Sequence, residues 1–243
     1  GYEEGQHYPT IVFIYEKRSQ GLNRYSQPVA NGFNPSLYTS NGYAVLEPDI
    51  TYRVNDPGMS AVWCVLPALD AAIATGVVDA ARVGLHGHSW GGYQTAFLVT
   101  RTNIFKAVES GAPVVNMISA YGGIRYQSGM SRQFQYEKTQ SRIGKTLWEA
   151  RDRYIANSPL FFLNAVQTPV LILHNDKDGA VPWYQGIELF MGLRRLSKPV
   201  WLLNYNGQPH WVTTPENRLD YARRMKQFLD HYCNGKPAPS WMT

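Results

Sequence analysis

Short apolar runs alternate along this chain with stretches of helical period. Residues 11–15, Ile-Val-Phe-Ile-Tyr, read as a strand, and 43–48 as a second buried strand that Pro48 stops. Residues 60–75 carry apolar positions at helical spacing and end before Gly76, a residue suited to a C-terminal cap. A third strand is predicted at 82–87, a helix from about Trp90 to about Thr100, and a fourth strand at 105–109. From 116 to 145 the sequence is polar and aromatic, with no clear period. Residues 147–157 look helical and stop ahead of Pro159. Residues 169–174 are almost continuously apolar, as expected of a central parallel strand covered on both faces. A helix at 183–196, a strand at 199–203 and a closing helix at 215–231, with Pro215 in its first turn, complete the pattern. Strands that alternate with helices predict an α/β domain whose central sheet is mostly parallel, with helices on both faces. The 243 residues suit one such domain over 1–243 better than two small ones.

Composition narrows the class. Hydrophobic residues make up 44% and charged residues 17%, enough for a real core and unlike a disordered chain. The net charge of +5 is modest, and the basic residues form no run of the kind that binds nucleic acid. Nucleic acid is therefore not an expected partner. Cys64 and Cys233 are not in C-x-x-C spacing and read as ordinary thiols, with Cys64 expected to be buried in a helix. No apolar run of about 18 residues, the length of a membrane span, is read from the sequence. The opening residues 1–6 are polar and carry no signal-peptide pattern, which leaves both an exported and a cytoplasmic setting open.

Candidate chemistry centres on Gly87-His88-Ser89-Trp90-Gly91, followed by Gly92. This G-x-S-x-G run lies between a predicted strand and a predicted helix. A turn that sharp forces the serine into a strained backbone and lifts its hydroxyl clear of the sheet. The helix N-terminus then aims amide N–H groups at a developing oxyanion, with the Trp90 amide as one donor. A serine nucleophile needs a base and the base needs an orienting acid, in the chain order serine, acid, histidine. Asp176 and Asp178 both follow the strand at 169–174. Asp178, deeper in the loop and followed by Gly179, is the better placed, and the other is expected to serve only the turn. His210 follows the last strand and precedes the last helix. Of the other histidines, His7 comes too early, His86 and His88 crowd the elbow, His174 ends a strand and His231 ends a helix. There is no H-E-x-x-H, no clustered Cys/His set, no G-x-G-x-x-G and no P-loop, so no metal or nucleotide cofactor is expected.

These residues resemble the prolyl oligopeptidase family of serine peptidases over nearly the whole chain. The most specific segments are Gly87-His88-Ser89-Trp90-Gly91-Gly92-Tyr93, Ser158-Pro159-Leu160 and the run from His174 to Pro182. The resemblance implies an α/β-hydrolase fold and a peptide substrate. It selects Asp178, the fourth residue after the strand-end histidine, and maps the family's base onto His210. It also implies that Tyr15 supplies the second oxyanion donor. Here the chain departs from the family pattern, because Glu16-Lys17-Arg18 follow where small residues and a proline are usual. Trp90, Val114 and Val181 match substrate-pocket positions, and Met117 and Tyr121 fall near places held by aromatic residues in proline-specific members. The family further implies an upstream β-propeller, or else a free-standing or homo-oligomeric relative, with this chain the catalytic part. Two other readings stay open on the residues alone. One is an esterase or other acyl hydrolase, since the same serine chemistry serves esters and amides. The other is a non-catalytic binding module on the same scaffold.

Overall fold

A computed structural model describes residues 2–28 and 32–243. Six parallel strands form the central sheet: β1 (Tyr8–Phe13), β2 (Ala44–Leu46), β3 (Val78–His88), β4 (Ala107–Gly111), β7 (Val170–Leu173) and β8 (Val200–Leu203). Their order across the sheet is β2-β1-β3-β4-β7-β8. Side-chain alternation assigns each strand residue to a face. Val12, Val83, Leu85, Val108, Val170 and Ile172 enter one core. Helices α2 (Pro57–Ala74), α3 (Trp90–Leu98) and α7 (Tyr184–Arg195) cover that face. Ile11, Ala107, Leu171 and Leu173 enter the other, under α1 (Pro35–Thr39) and α8 (Pro215–Asn234). With helices on both sides, the central strands are buried on both faces, which is why they read as continuous apolar runs.

The predicted elements appear with shifted ends. β1 starts earlier than expected and stops at Phe13, so Tyr15 lies in the loop beyond the strand. The aperiodic stretch resolves into α4 (Met117–Tyr121), a two-stranded hairpin of β5 (Ile124–Arg125) and β6 (Met130–Ser131), and α5 (Gln133–Glu137). These elements are too short to impose a period. The helix expected at 147–157 is α6, Arg151–Ala156.

Two expectations are corrected. Cys64 is only half-buried, whereas Cys233 is buried, because Cys64 lies at the margin of the stripe of α2 that Ala61, Val65 and Leu69 bury. The same helix is long and apolar enough to cross a membrane by length and composition, with 18 residues and a mean hydropathy of 1.4. Its only charged residue, Asp70, lies near its end, so small and apolar residues dominate the average. One third of it is buried within the fold.

A buried polar link ties the sheet to α8. His86 on β3 hydrogen-bonds through Nδ1 to Glu109 on β4, and the Tyr221 hydroxyl of α8 donates to Glu109 at 2.8 Å. All three side chains are buried, so each must find its partner inside the protein. His86→Leu removes one partner from a carboxyl with no access to water. The expected loss is about 1–3 kcal/mol or more, read as a lower urea midpoint. No change in the midpoint would contradict the structural role given to this link. A second prediction contrasts two glycines. A Cβ on Gly92 would lie 2.2 Å from the carbonyl oxygen of Gly111, whereas one on Gly21 would meet nothing within 4 Å. Gly92→Ala is expected to cost about 1–3 kcal/mol, and Gly21→Ala to stay within about 0.5 kcal/mol of neutral. Thermal unfolding of both variants checks the contrast, and equal midpoints would contradict it.

Candidate active site

One residue, Ser89, joins β3 to α3. Its backbone has φ 61° and ψ −115°, a conformation that costs a non-glycine residue on the order of 1–3 kcal/mol. The surroundings hold it there. The Ser89 N–H donates to the Gly111 carbonyl at 2.7 Å, and the Ser89 carbonyl accepts from the Tyr93 N–H at 3.0 Å. The neighbouring glycines make room for this turn. A Cβ on Gly87 would lie 2.6 Å from the Gly91 carbonyl oxygen, and one on Gly91 would lie 2.6 Å from that of Ile14. Trp90 is the first residue of α3, so its N–H has no acceptor within the helix. Ser89 lines a cavity of about 360 Å³ together with Tyr15, Trp90, Val114, Val181 and His210.

The loops after β7 and β8 meet beside this cavity. His210 Nδ1 lies 2.7 Å from Asp178 Oδ2. The other carboxylate oxygen of Asp178 accepts the N–H groups of Ala180 and Val181, both at 2.8 Å. His174 Nε2 stands 3.3 Å from Asp178 Oδ2, with both side chains buried. Burial pushes the Asp178 carboxyl up, but hydrogen bonds from His174 and His210 outweigh it and hold the group well below the ordinary carboxylate range. Asp178 therefore stays ionised at neutral pH. Asp176 does something different: it accepts the Gly207 N–H at 2.6 Å and so fastens the loop that leads to His210.

Tyr15 lines the cavity, and its hydroxyl accepts a hydrogen bond from Gln140 Nε2 at 3.3 Å. Burial raises its pKa, which keeps the phenol protonated. The unusual residues after it are anchored. The Arg18 guanidinium pairs with Glu47 at 3.0 Å, the Arg18 N–H reaches Asp49 Oδ1, and the Ile50 N–H donates to the Glu16 carbonyl at 3.0 Å. Charged residues thus fix this loop by ion pairing and hydrogen bonding.

Met117 and Tyr121 are not on the cavity wall. They occupy positions i and i+4 of α4, on one helix face, and both are buried behind the wall in a cluster with Trp90, Val114, Val181 and Tyr136. The Tyr121 hydroxyl is spent on Glu137 at 2.7 Å.

Sequence reasoning missed several residues at the site. The Tyr52 hydroxyl accepts from Trp90 Nε1 at 2.8 Å and donates to the Tyr15 carbonyl at 3.3 Å, bridging the two predicted oxyanion residues. His88 is buried, stacks on Trp211 with ring centroids 3.7 Å apart and meets His210 edge-on at 4.8 Å. Burial, then the neighbouring His210, push its pKa well below the ordinary histidine value, so it packs as a neutral ring. Arg125, Arg132 and Ser141 also line the cavity, from the segment that showed no period. No local pattern marks Tyr52. The G-x-S-x-G motif does place His88 next to the nucleophile position.

The model of the prolyl oligopeptidase family matches residues 64–236. The uncharacterized peptidase YuxL of Bacillus subtilis is 28% identical over 172 residues, which is 69% of this chain and 25% of that protein. Dipeptidyl-peptidase 5 of Porphyromonas endodontalis is 24% identical over 95% of this chain and 34% of its own length. The chain thus spans about a third or less of these relatives. Among solved structures, a puromycin-hydrolyzing peptidase of Mycobacterium tuberculosis superposes with a TM-score of 0.78 at 20% identity, covering 98% of this chain and 36% of that one. An acylaminoacyl peptidase of Pyrococcus horikoshii gives 0.75 at 19% identity, over 96% and 38%. These likenesses establish the α/β-hydrolase fold, and with the family match extending over most of its length, the chain belongs to the prolyl oligopeptidase family.

Proposed function

We propose that this chain is a serine peptidase domain that hydrolyses short peptides through an acyl-enzyme, with Ser89 as nucleophile, His210 as base and Asp178 as orienting acid. The observation that carries this reading is the His210–Asp178 hydrogen bond beside a cavity into which the strained elbow presents Ser89. Ser89 Oγ attacks the scissile carbonyl carbon as His210 Nε2 takes the hydroxyl proton. His210 returns that proton to the leaving amine, and the C–N bond breaks to leave an ester on Ser89. Water, deprotonated by His210, then attacks the ester carbon, the bond to Ser89 Oγ breaks as His210 returns the proton to that oxygen, and the acid product leaves. Asp178 keeps the imidazole tautomer with its proton on Nδ1 and stabilises the imidazolium formed twice per turnover. The Trp90 N–H and the Tyr15 O–H donate to the oxyanion, and Tyr15 suits this role because it stays protonated.

The same residues act on esters and amides alike, so peptide specificity rests on family membership and on relatives that are themselves named peptidases. Those relatives are about three times as long as this chain. We infer that residues 1–243 are the catalytic part of a protein in which a further domain, such as an upstream propeller, controls access. A homo-oligomer is the alternative arrangement.

Ser89→Ala is expected to keep the fold and lose about 10⁶ in kcat on an activated ester. A variant with a tenth of the wild-type rate would exclude Ser89 as nucleophile. Asp178→Asn is expected to lose roughly 10⁴ in kcat, because an amide cannot stabilise the imidazolium and favours the wrong tautomer. Asp176→Asn should keep most of the rate. Steady-state kinetics of the pair decide the assignment, and a larger loss at Asp176 would reverse it.

A further inference from the structure

Among the described residues, three arginines and no carboxylate line the cavity that holds Ser89. Two of them are only half-buried and have polar partners. Arg18 is paired with Glu47, and Arg125 Nη2 donates to Gln135 Oε1 at 3.1 Å. Arg132 is different. It is 2% exposed, and its Nη2 donates to the Tyr136 hydroxyl at 3.1 Å, while Nε and Nη1 have no hydrogen-bond partner among the described residues. The hydroxyl of Ser141, in the same cavity wall, is buried and unpartnered as well.

A guanidinium stays charged in any protein environment, and an unpaired buried charge is among the costliest features a fold can hold. Buried polar groups without partners call for a partner that arrives later. The planar fork of arginine matches a carboxylate with two parallel hydrogen bonds. The one acid of the triad is not available for this, because Asp178 is held by His210, His174 and two backbone amides.

The surroundings fix which end of the substrate meets Arg132. His210, with His88 and Trp211 packed against it, gives its proton to the leaving amine, so the leaving group lies on that side. Tyr136, the partner of Arg132, belongs to the buried cluster with Trp90, Val114 and Val181, the residues that match the family's substrate-pocket positions. With those residues as the substrate pocket of the peptidase reading, the acyl residue of the substrate is the part that meets this wall.

We propose that Arg132, with the Ser141 hydroxyl also in the wall, is a subsite for the carboxylate of an acidic side chain on the acyl residue, so that the enzyme cleaves after glutamate or aspartate. This rests on the peptidase reading above. The matched test compares kcat/KM for two dipeptidyl coumarylamides that end in Glu or in Gln and differ only in charge. The expected advantage of the Glu substrate is about ten- to a hundredfold. A second matched pair has a neutral acyl residue and a leaving glycine with either a free carboxylate or an amide, and no preference is expected there. Arg132→Met should abolish the Glu advantage, and Arg132→Lys, which keeps charge but loses the fork, should retain part of it. If the Met variant does not fold, the Lys variant and the wild-type pair carry the test. Turnover of p-nitrophenyl acetate by the wild-type chain reports the serine chemistry by itself, and its absence would sink the hydrolase reading and not merely the subsite. Equal values for Glu and Gln would overturn the proposal. So would cleavage of neither substrate by a chain that turns over the ester, a Glu preference that survives both substitutions, or a carboxylate preference found only on the leaving side.

Discussion

The close approach of backbone segments around Ser89 is the constraint on which the rest depends. A side chain at position 87, 91 or 92 would collide with a main-chain carbonyl, so three glycines are required within six residues. Their absence of side chains lets α3 begin directly over the end of β3, and lets β4 reach the elbow through the Gly111 carbonyl. Ser89 accepts an unfavourable φ because its neighbours leave it no other path. The strain is sustained by the parallel sheet, whose two apolar cores hold β3 and β4 in register beneath the turn.

Electrostatics then build outward from that fixed point. Asp178 is buried and ionised because four donors converge on it, two of them backbone amides of its own loop. The loop shape that brings Ala180 and Val181 round to Oδ1 also delivers Val181 to the cavity wall. Asp176 and Gly207 join this loop to the one bearing His210, so Asp178 and His210 are set by one linked pair of loops. On the opposite side, Tyr52 couples Trp90 to the Tyr15 loop, and Arg18, Glu47 and Asp49 brace that loop with charge.

Much of this was legible in the sequence wherever a local signal exists. Periodicity located the strands and the long helices, since burial on both faces leaves an apolar run and burial on one face leaves a stripe. The elbow was legible because steric demand selects glycine at fixed offsets. Asp178 and His210 followed from their places after late strands. The segment 116–145 was not legible, because its helices span five residues each, too few to show a period, and its pattern answers to cavity walls formed from distant parts of the chain. Met117 and Tyr121 illustrate this: α4 turns both inward, so they back the wall. Tyr52 was missed for a related reason. Its hydrogen-bonded neighbours are Tyr15 and, one turn apart on α3, Trp90 and Gln94, and only the sheet order brings Tyr52 to them.

The whole account stands on Ser89 being a nucleophile that its surroundings activate. The most direct measurement is to treat the folded chain with a fluorophosphonate and map the adduct by peptide mass spectrometry. One phosphonyl group on Ser89, lost when the chain is unfolded before treatment, is the predicted result. No adduct, or an adduct on Ser141 in the same cavity wall with Ser89 unmodified, would contradict it.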